Sequence, residues 1–187
     1  MASKVDICNE ALSILGQKEI VSLSDESVEA YACNRHIDTV IKVILAGHPW
    51  NCVSEDFNLN RLSDSPVSEY KYYYQLPTGY LRLNSVSPEQ EYKIQGKKLL
   101  SNAESVQINC VVFNDNTDIY TPELSSGIAH ALAARLAYPM TSSVSMAERV
   151  QGLADDLISM AKSSNSFEGT KRDNVKKTWI SAKLGGY

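Results

Sequence analysis

The stretch from Glu29 to Asn51 predicts one long amphipathic helix that ends abruptly. Its apolar residues recur at helical spacing and share one face: Ala30, Cys33, Ile37, Val40, Ile41, Ile44 and Leu45. Gly47 favours a left-handed helix end, and Pro49 cannot continue a helix. Because a proline follows His48, its backbone is biased toward an extended form. We therefore expect Trp50 to leave the helix in a fixed direction and to fold back as an anchor. Gly47, His48, Pro49 and Trp50, hereafter the corner, form a boundary, because the residue pattern changes after them.

Length and composition allow a sizeable hydrophobic core. The chain has 187 residues, of which 43% are hydrophobic and 21% are charged. These values suit one domain, or two small layers that share a core. No apolar run approaches the roughly 18 residues of a membrane span, and the first residues, MASKVDICNEAL, lack the regions of a secretory signal. We therefore expect no membrane span.

The four cysteines are scattered, and no two are spaced like a zinc or redox pair. Cys8 and Cys33 fall on apolar helix faces, and Cys110 falls on an alternating strand. We interpret these three and Cys52 as buried or half-buried free thiols in a reducing compartment. The sequence predicts no metal site and no cofactor.

The net charge of −4 conceals an asymmetry between the body of the chain and its end. Residues 171–187 carry five basic side chains against Asp173, a net of +4, so the rest of the chain carries −8. This distribution argues against a DNA-gripping domain and suits a tail that docks on a neighbouring acidic surface. A solvated, frayed chain end is the alternative.

The first half of the chain changes from helical to strand periodicity. A first helix is predicted from about Lys4 to Leu15, capped by Ser3, and a second is predicted to start at a cap on Ser24 or Asp25. From Cys52 to about Ile119 the period becomes two, which predicts one antiparallel sheet of four to six strands. Its clearest strand carries Val106, Ile108, Cys110 and Val112 on one face.

Helices return in the second half. Thr121 is a cap with Pro122 at the first helical position, and the pair Tyr138-Pro139 is expected to stop this helix. A capping box from Ser145 to Glu148 predicts the start of the last helix. Its expected inward residues are Val150, Leu153, Leu157 and either Met160 or Ala161.

The order of elements predicts an α+β fold. Residues 1–51 and 120–162 would each supply a helical pair, and the two pairs would form one four-helix bundle. Residues 52–119 would form an antiparallel β lobe inserted between them. The polar stretch from Lys162 to Asn174 predicts a linker, so residues 163–187 would be a linker and an extended C-terminal docking tail.

No pattern in the sequence predicts catalysis. His36, His48 and His130 share no metal-ligand spacing with one another or with cysteine, and a structural role is favoured for each. The segment Asn114–Asp118 resembles half of a calcium loop but lacks its glycine and closing glutamate, so a polar turn is favoured. A glycan hydrolase would need a carboxylate pair in a cleft, and the sequence gives no reason to select two carboxylates.

Five tyrosines gather in the predicted sheet: Tyr70, Tyr72, Tyr73, Tyr74 and Tyr80. Such residues can stack on single-stranded nucleic acid, but only Lys71 and Arg82 supply positive charge nearby. Sheet packing or a protein interface is the favoured interpretation. A small nucleic-acid-binding protein is kept as an alternative, although none of the predicted helices is basic.

Several short motifs together resemble the tail tubular protein A family of short-tailed bacteriophages. They include ICNEALSILG, SLSDESVEA, the CN pair within the second helix, and HPWN. LPTGYLRLNSV, YKIQGKKLLS and IAHALAARLAY extend the resemblance, in order, over nearly the whole chain. Each motif is short, and the specificity comes from their order and spacing.

The resemblance implies a structural virion protein and not an enzyme. In that family, the protein forms a head-to-tail adaptor ring, twelvefold like the portal. The ring joins the portal vertex to the tail nozzle, a tubular protein B-like partner, and DNA passes through its centre. The location implied is the head–tail junction of the virion, with assembly in the host cytoplasm. An acidic body suits a channel that does not grip phosphate.

The C-terminal segment is the predicted partner-binding region. Its basic and apolar residues would dock on the portal, the nozzle or the next copy in the ring, and we expect residues from about Phe167 to Tyr187 to order only when a neighbour receives them. The predicted docking residues are Phe167, Lys171, Arg172, Val175, Lys176, Lys177, Trp179, Ile180, Lys183 and Leu184.

Overall fold

The computed structural model describes residues 3–64, 66–67 and 69–168, which form a mixed α+β fold. These residues contain four α-helices and two small antiparallel sheets. The helices are α1 (Lys4–Ile14), α2 (Val28–Ala46), α3 (Pro122–Thr141) and α4 (Val144–Phe167). The strands are β1 (Ser54–Leu59), β2 (Tyr72–Gln75), β3 (Tyr80–Ser87), β4 (Tyr92–Gln95), β5 (Lys98–Ser101) and β6 (Val106–Val112).

The start of α1 is as predicted, but the start of α2 is not. Ser3 and Asp6 form a capping box on α1. Ser27 caps α2, where Ser24 or Asp25 had been expected. The carboxylate of Asp25 instead accepts hydrogen bonds from the backbone N–H groups of Val21 and Ser22. Asp25 therefore stabilises the loop before α2, and the helix begins later.

Thr121 caps α3 with Pro122 at its start, as predicted, but Pro139 does not stop this helix. A proline removes one N–H from a helix, and here the loss falls in the last turn. Packing of the preceding residues Leu136 and Ala137, both buried, holds α3 in the core up to that turn. The predicted capping box at Ser145 is also wrong, because Ser143 caps α4 by accepting a hydrogen bond from the Met146 N–H.

Two predictions about α4 are corrected. The helix continues through residues 163–167, which the polar composition had assigned to a linker. Val150 is buried as predicted, and of the two alternatives Met160 and Ala161 it is Ala161 that is buried. Leu153 was expected inward but is exposed, Leu157 is half-buried, and Ala154 and Asn165 are the other buried residues. Small residues face α3 because the two helices lie close together. A Cβ atom added at Gly127 of α3 would lie 3.0 Å from Ile158 of α4, so the two helices approach closely at this glycine.

The β residues form two three-stranded sheets and not one. The strand orders are β1-β6-β3 and β2-β5-β4, all antiparallel. The two sheets pack on each other through a shared apolar cluster that includes Tyr74, Leu99, Ile108, Cys110 and Val112. One long sheet would have left these side chains without a partner face.

β6 connects the sheets to the helices because its two faces differ. Cys110 and Val112 belong to the cluster between the sheets, whereas Val111 between them joins the core formed with the helices. In that core, α3 packs against each of the other three helices. Among the described residues, no helix is long and apolar enough to cross a membrane.

Candidate functional site

The corner is a hydrogen-bonded turn at the end of α2. Gly47 has φ −74° and ψ −16°, so the predicted left-handed helix end is wrong, and the chain turns by way of Pro49. Trp50 folds back as predicted: it is buried, and its Nε1–H donates a hydrogen bond of 3.1 Å to the Ile44 carbonyl. The Ile44 carbonyl thus accepts two hydrogen bonds, one from the Gly47 N–H and one from the indole, which ties Trp50 to the last turn of the helix.

The last turn of α4 is clamped to the corner by Asn165, a residue that the sequence interpretation missed. Asn165 Oδ1 accepts the Asn51 N–H at 2.8 Å, and its Nδ2 donates to the Pro49 carbonyl at 3.2 Å. The backbone carbonyl of Asn165 accepts from Asn51 Nδ2 at 2.9 Å. Because a backbone N–H can only donate, the bond from Asn51 fixes the orientation of the Asn165 amide.

This orientation determines the state of His48. Asn165 Nδ2 lies 3.1 Å from His48 Nε2 and can only donate, so Nε2 accepts and the ring proton lies on Nδ1. Burial lowers the pKa of His48, and the nearby charges of Lys162 and Arg82 lower it further. The neutral ring meets the Trp50 indole edge-on, with ring centroids 4.7 Å apart. The corner is thus built around an uncharged histidine.

The corner also connects to the first sheet. Ser54, the first residue of β1, donates its hydroxyl to the Trp50 carbonyl at 2.6 Å. Arg82 of β3 reaches back to the Ala46 carbonyl at the end of α2, at 3.4 Å. Asn84 Nδ2 donates both to Ser54 Oγ and to Asn109 Oδ1. These bonds fix the direction in which the sheet leaves the end of α2.

The docking residues predicted in the C-terminal segment are described at one position only. Phe167 ends α4 with 89% of its surface exposed, so it is available to a partner. The others, Lys171, Arg172, Val175, Lys176, Lys177, Trp179, Ile180, Lys183 and Leu184, lie outside the described residues. The structure therefore places the start of this segment beside the corner, two residues after Asn165.

A second polar junction lies where the segment Asn114–Asp118 meets α1 and α2. Lys4 Nζ binds Asp38 at 2.8 Å and Asp115 at 2.6 Å. Burial alone would lower the pKa of Lys4, but its hydrogen bonds and attraction to both aspartates raise it. Asn114 and Asn116 accept backbone N–H groups two residues ahead, so the segment is the predicted polar turn.

The tyrosines of β2 have separate partners. Tyr74 is buried and donates its hydroxyl to the Ala103 carbonyl at 2.6 Å. Tyr72 stacks with Arg61, and Tyr73 lies under Lys98, with cation-to-ring distances of 4.5 and 4.6 Å. These contacts agree with the sheet-packing interpretation.

The other polar groups are dispersed over the described residues. His130 Nδ1 lies 2.9 Å from the Ser126 carbonyl within its own helix, and Asp155 and Asp156 are exposed on α4. Cys8, Cys33, Cys52 and Cys110 are free thiols, and burial is the largest cause that raises the pKa of Cys110 to about 11. In the part of the chain that the structure describes, no three His, Cys, Asp or Glu side chains are grouped so as to hold a metal ion.

An open cleft with a volume of about 350 Å³ lies on the first sheet. Its polar lining includes Asp56, Asn58, Ser85 and Asn109. Asn109 Nδ2 donates to Asp56, so part of this lining is already paired within the sheet. No protein-family model matches the sequence, and no curated protein matches it.

Proposed function

We propose that this chain is the subunit of a head-to-tail adaptor ring of a short-tailed bacteriophage, of the tail tubular protein A type. The ring would join the portal vertex to the tail nozzle in the virion and form part of the DNA exit channel. DNA would pass through without specific binding. The motifs from ICNEALSILG to IAHALAARLAY are the sequence support for this proposal.

One structural observation carries the proposal: the corner and the end of α4 form one hydrogen-bonded unit. Asn165 binds Asn51, Pro49 and His48, and two residues later Phe167 is exposed. A segment that docks on a partner needs a fixed point of departure, because a rigid base reduces the entropy lost on binding. The same hydrogen-bonded unit also binds β1 through Ser54. The start of the docking segment and the sheets would therefore have the same relative orientation in every copy.

Within this proposal, the four helices form a bundle that builds the wall of the ring, and the two sheets project from it. The C-terminal docking residues would bind a neighbouring protein through Trp179 and Ile180, with lysines opposite an acidic surface. A ring requires contacts between different surfaces of successive copies.

The test is to mix the purified chain with the portal protein of the same phage and to examine the product by electron microscopy. A ring with the symmetry of the portal is the expected result. A chain that lacks residues 168–187 should keep its helical circular dichroism and fail to bind the portal or the nozzle. A matched control with Ser181→Ala should bind like the wild type. If the wild type forms no ring on the portal, or the shortened chain still completes infectious particles, the proposal is wrong.

A further inference from the structure

The outer face of α2 carries an apolar stripe with a basic residue in its middle. Tyr31 is 69% exposed and Val43 is 60% exposed. Arg35 lies between them along the helix, on the same outward face, and is also exposed. Val28 extends this face toward the start of the helix. The opposite face of α2, with Ile37 and Ile41, packs into the core, so this stripe is left on the surface of the described residues.

The outer face of α4 carries a similar stripe with an acidic residue in its middle. Leu153 is 48% exposed and Met160 is 61% exposed, and the exposed Asp156 lies between them. Phe167 lies one further heptad along the same line. The close approach of α4 to α3 turns these side chains outward, although their periodicity is that of an inward face.

The two stripes are complementary in length, apolar character and charge. From Val28 to Val43 the axial length is about 22 Å, and from Leu153 to Phe167 it is about 21 Å, at 1.5 Å per residue. Each has large apolar side chains on both sides of a charged residue, and the charges of Arg35 and Asp156 are opposite in sign. Lys42, also exposed on the outer face of α2, adds to the positive charge of that stripe. Charge complementarity of this kind sets the register of a contact and excludes like pairings.

Among the described residues of one chain, both stripes remain exposed, so neither is covered by the other. We propose that the α2 stripe of one copy binds the α4 stripe of the next copy, with Arg35 opposite Asp156. Because the two surfaces differ, the contact is heterologous. An open row of copies keeps one free stripe at each end, and these two stripes pair when the ring closes. The inference rests on the proposed adaptor ring and identifies the surfaces through which its subunits meet.

The test uses single charge reversals of the full chain in the mixture with portal protein, with bound copies counted by mass photometry. Arg35→Glu alone and Asp156→Arg alone each place like charges in every contact. Each should raise the concentration needed to fill the ring by at least about tenfold. An equimolar mixture of the two variants should fill the ring at the wild-type concentration, because alternating copies pair Glu with Arg and Arg with Asp.

Three further variants serve as controls. Lys93→Glu and Glu91→Arg make the same charge changes at exposed positions in and beside β4, outside both stripes, and should assemble like the wild type. Met160→Ser should weaken assembly, and addition of Arg35→Glu should not restore it, because no charge is compensated. All five positions are exposed, so thermal unfolding should stay at the wild-type temperature.

The possible outcomes distinguish a failure of the proposed contact from a failure of the proposed adaptor ring. If the wild type fills the ring and both charge reversals do so equally well, or if their mixture gives no rescue, the proposed contact is wrong and the adaptor proposal stands. If the wild type does not bind the portal, both proposals are wrong. Loss of assembly in each single variant with recovery in the mixture supports the contact.

Discussion

Replacement of Asn165 by alanine removes the clamp between α4 and the corner. The side chain accepts the Asn51 N–H and donates to the Pro49 carbonyl and to His48, at 2.8, 3.2 and 3.1 Å. Each of the three bonds contributes about 0.5–1.5 kcal/mol net to the free energy of unfolding. We expect a total loss of about 2 kcal/mol, toward the lower end of the sum, because water can reach part of the exposed backbone of Asn51 and Pro49 in the variant. For a chain of this size, that loss corresponds to a decrease of about 4–8 °C in the unfolding temperature.

Asn34→Ala is the matched control. Asn34 lies on the exposed face of α2, so the same chemical change there alters helix propensity without removing a buried side chain. Alanine favours helices by a few tenths of a kcal/mol over asparagine, so the control should be neutral or slightly stabilising. Urea unfolding followed by circular dichroism gives both values. If Asn165→Ala is as stable as Asn34→Ala, the clamp contributes nothing and the argument for a rigid base is refuted.

Two other predictions concern the corner. Trp50→Ala empties a buried site, so it should lower the free energy of unfolding in urea by about 3–5 kcal/mol and impair assembly while the helices remain formed. Trp50→Phe mainly loses the bond to Ile44 and should lower the free energy of unfolding much less. Equal losses in the two variants would contradict this account. The stability of the wild type should fall as pH falls below the ordinary His pKa of 6.5, because the unfolded state then binds a proton that folded His48 still rejects. The decrease should stop below the folded pKa, and His48→Asn should reduce this pH dependence. A wild-type ring titration by NMR at or above 6.5 would contradict the lowered pKa.

Local signals in the sequence predicted those features that depend on neighbouring residues. The starts of α1 and α3 are examples, because their cap bonds form within one turn of the helix. They are defined by Ser3 with Asp6 and by Thr121 before Pro122. The turn between the paired strands β4 and β5 is local in the same way, because Gly96 takes φ +60° there. The burial of Ile37, Ile41 and Trp50 follows from apolar spacing and from the stop imposed by Pro49.

The incorrect predictions share one cause, which is competition between local preference and distant packing. Polar composition assigned residues 163–167 to a linker, but Asn165 finds partners more than a hundred positions earlier in the chain. A periodic stripe placed Leu153 inward, but Ala154 occupies the inward position beside it and Leu153 is exposed. A polar residue at an inward helical position was the available signal for Asn165.

The sequence by itself determined that this chain alternates between helices and antiparallel strands, where α1 and α3 begin, and that a tryptophan closes α2. Those outcomes rest on backbone capping, proline geometry and periodicity, which act over a few residues. Only the tertiary structure decided that the strands divide into two packed sheets, that α4 continues to the corner, and that two complementary stripes remain on the surface. These outcomes depend on which distant faces can approach closely enough to exclude water, and no local pattern specifies that distance.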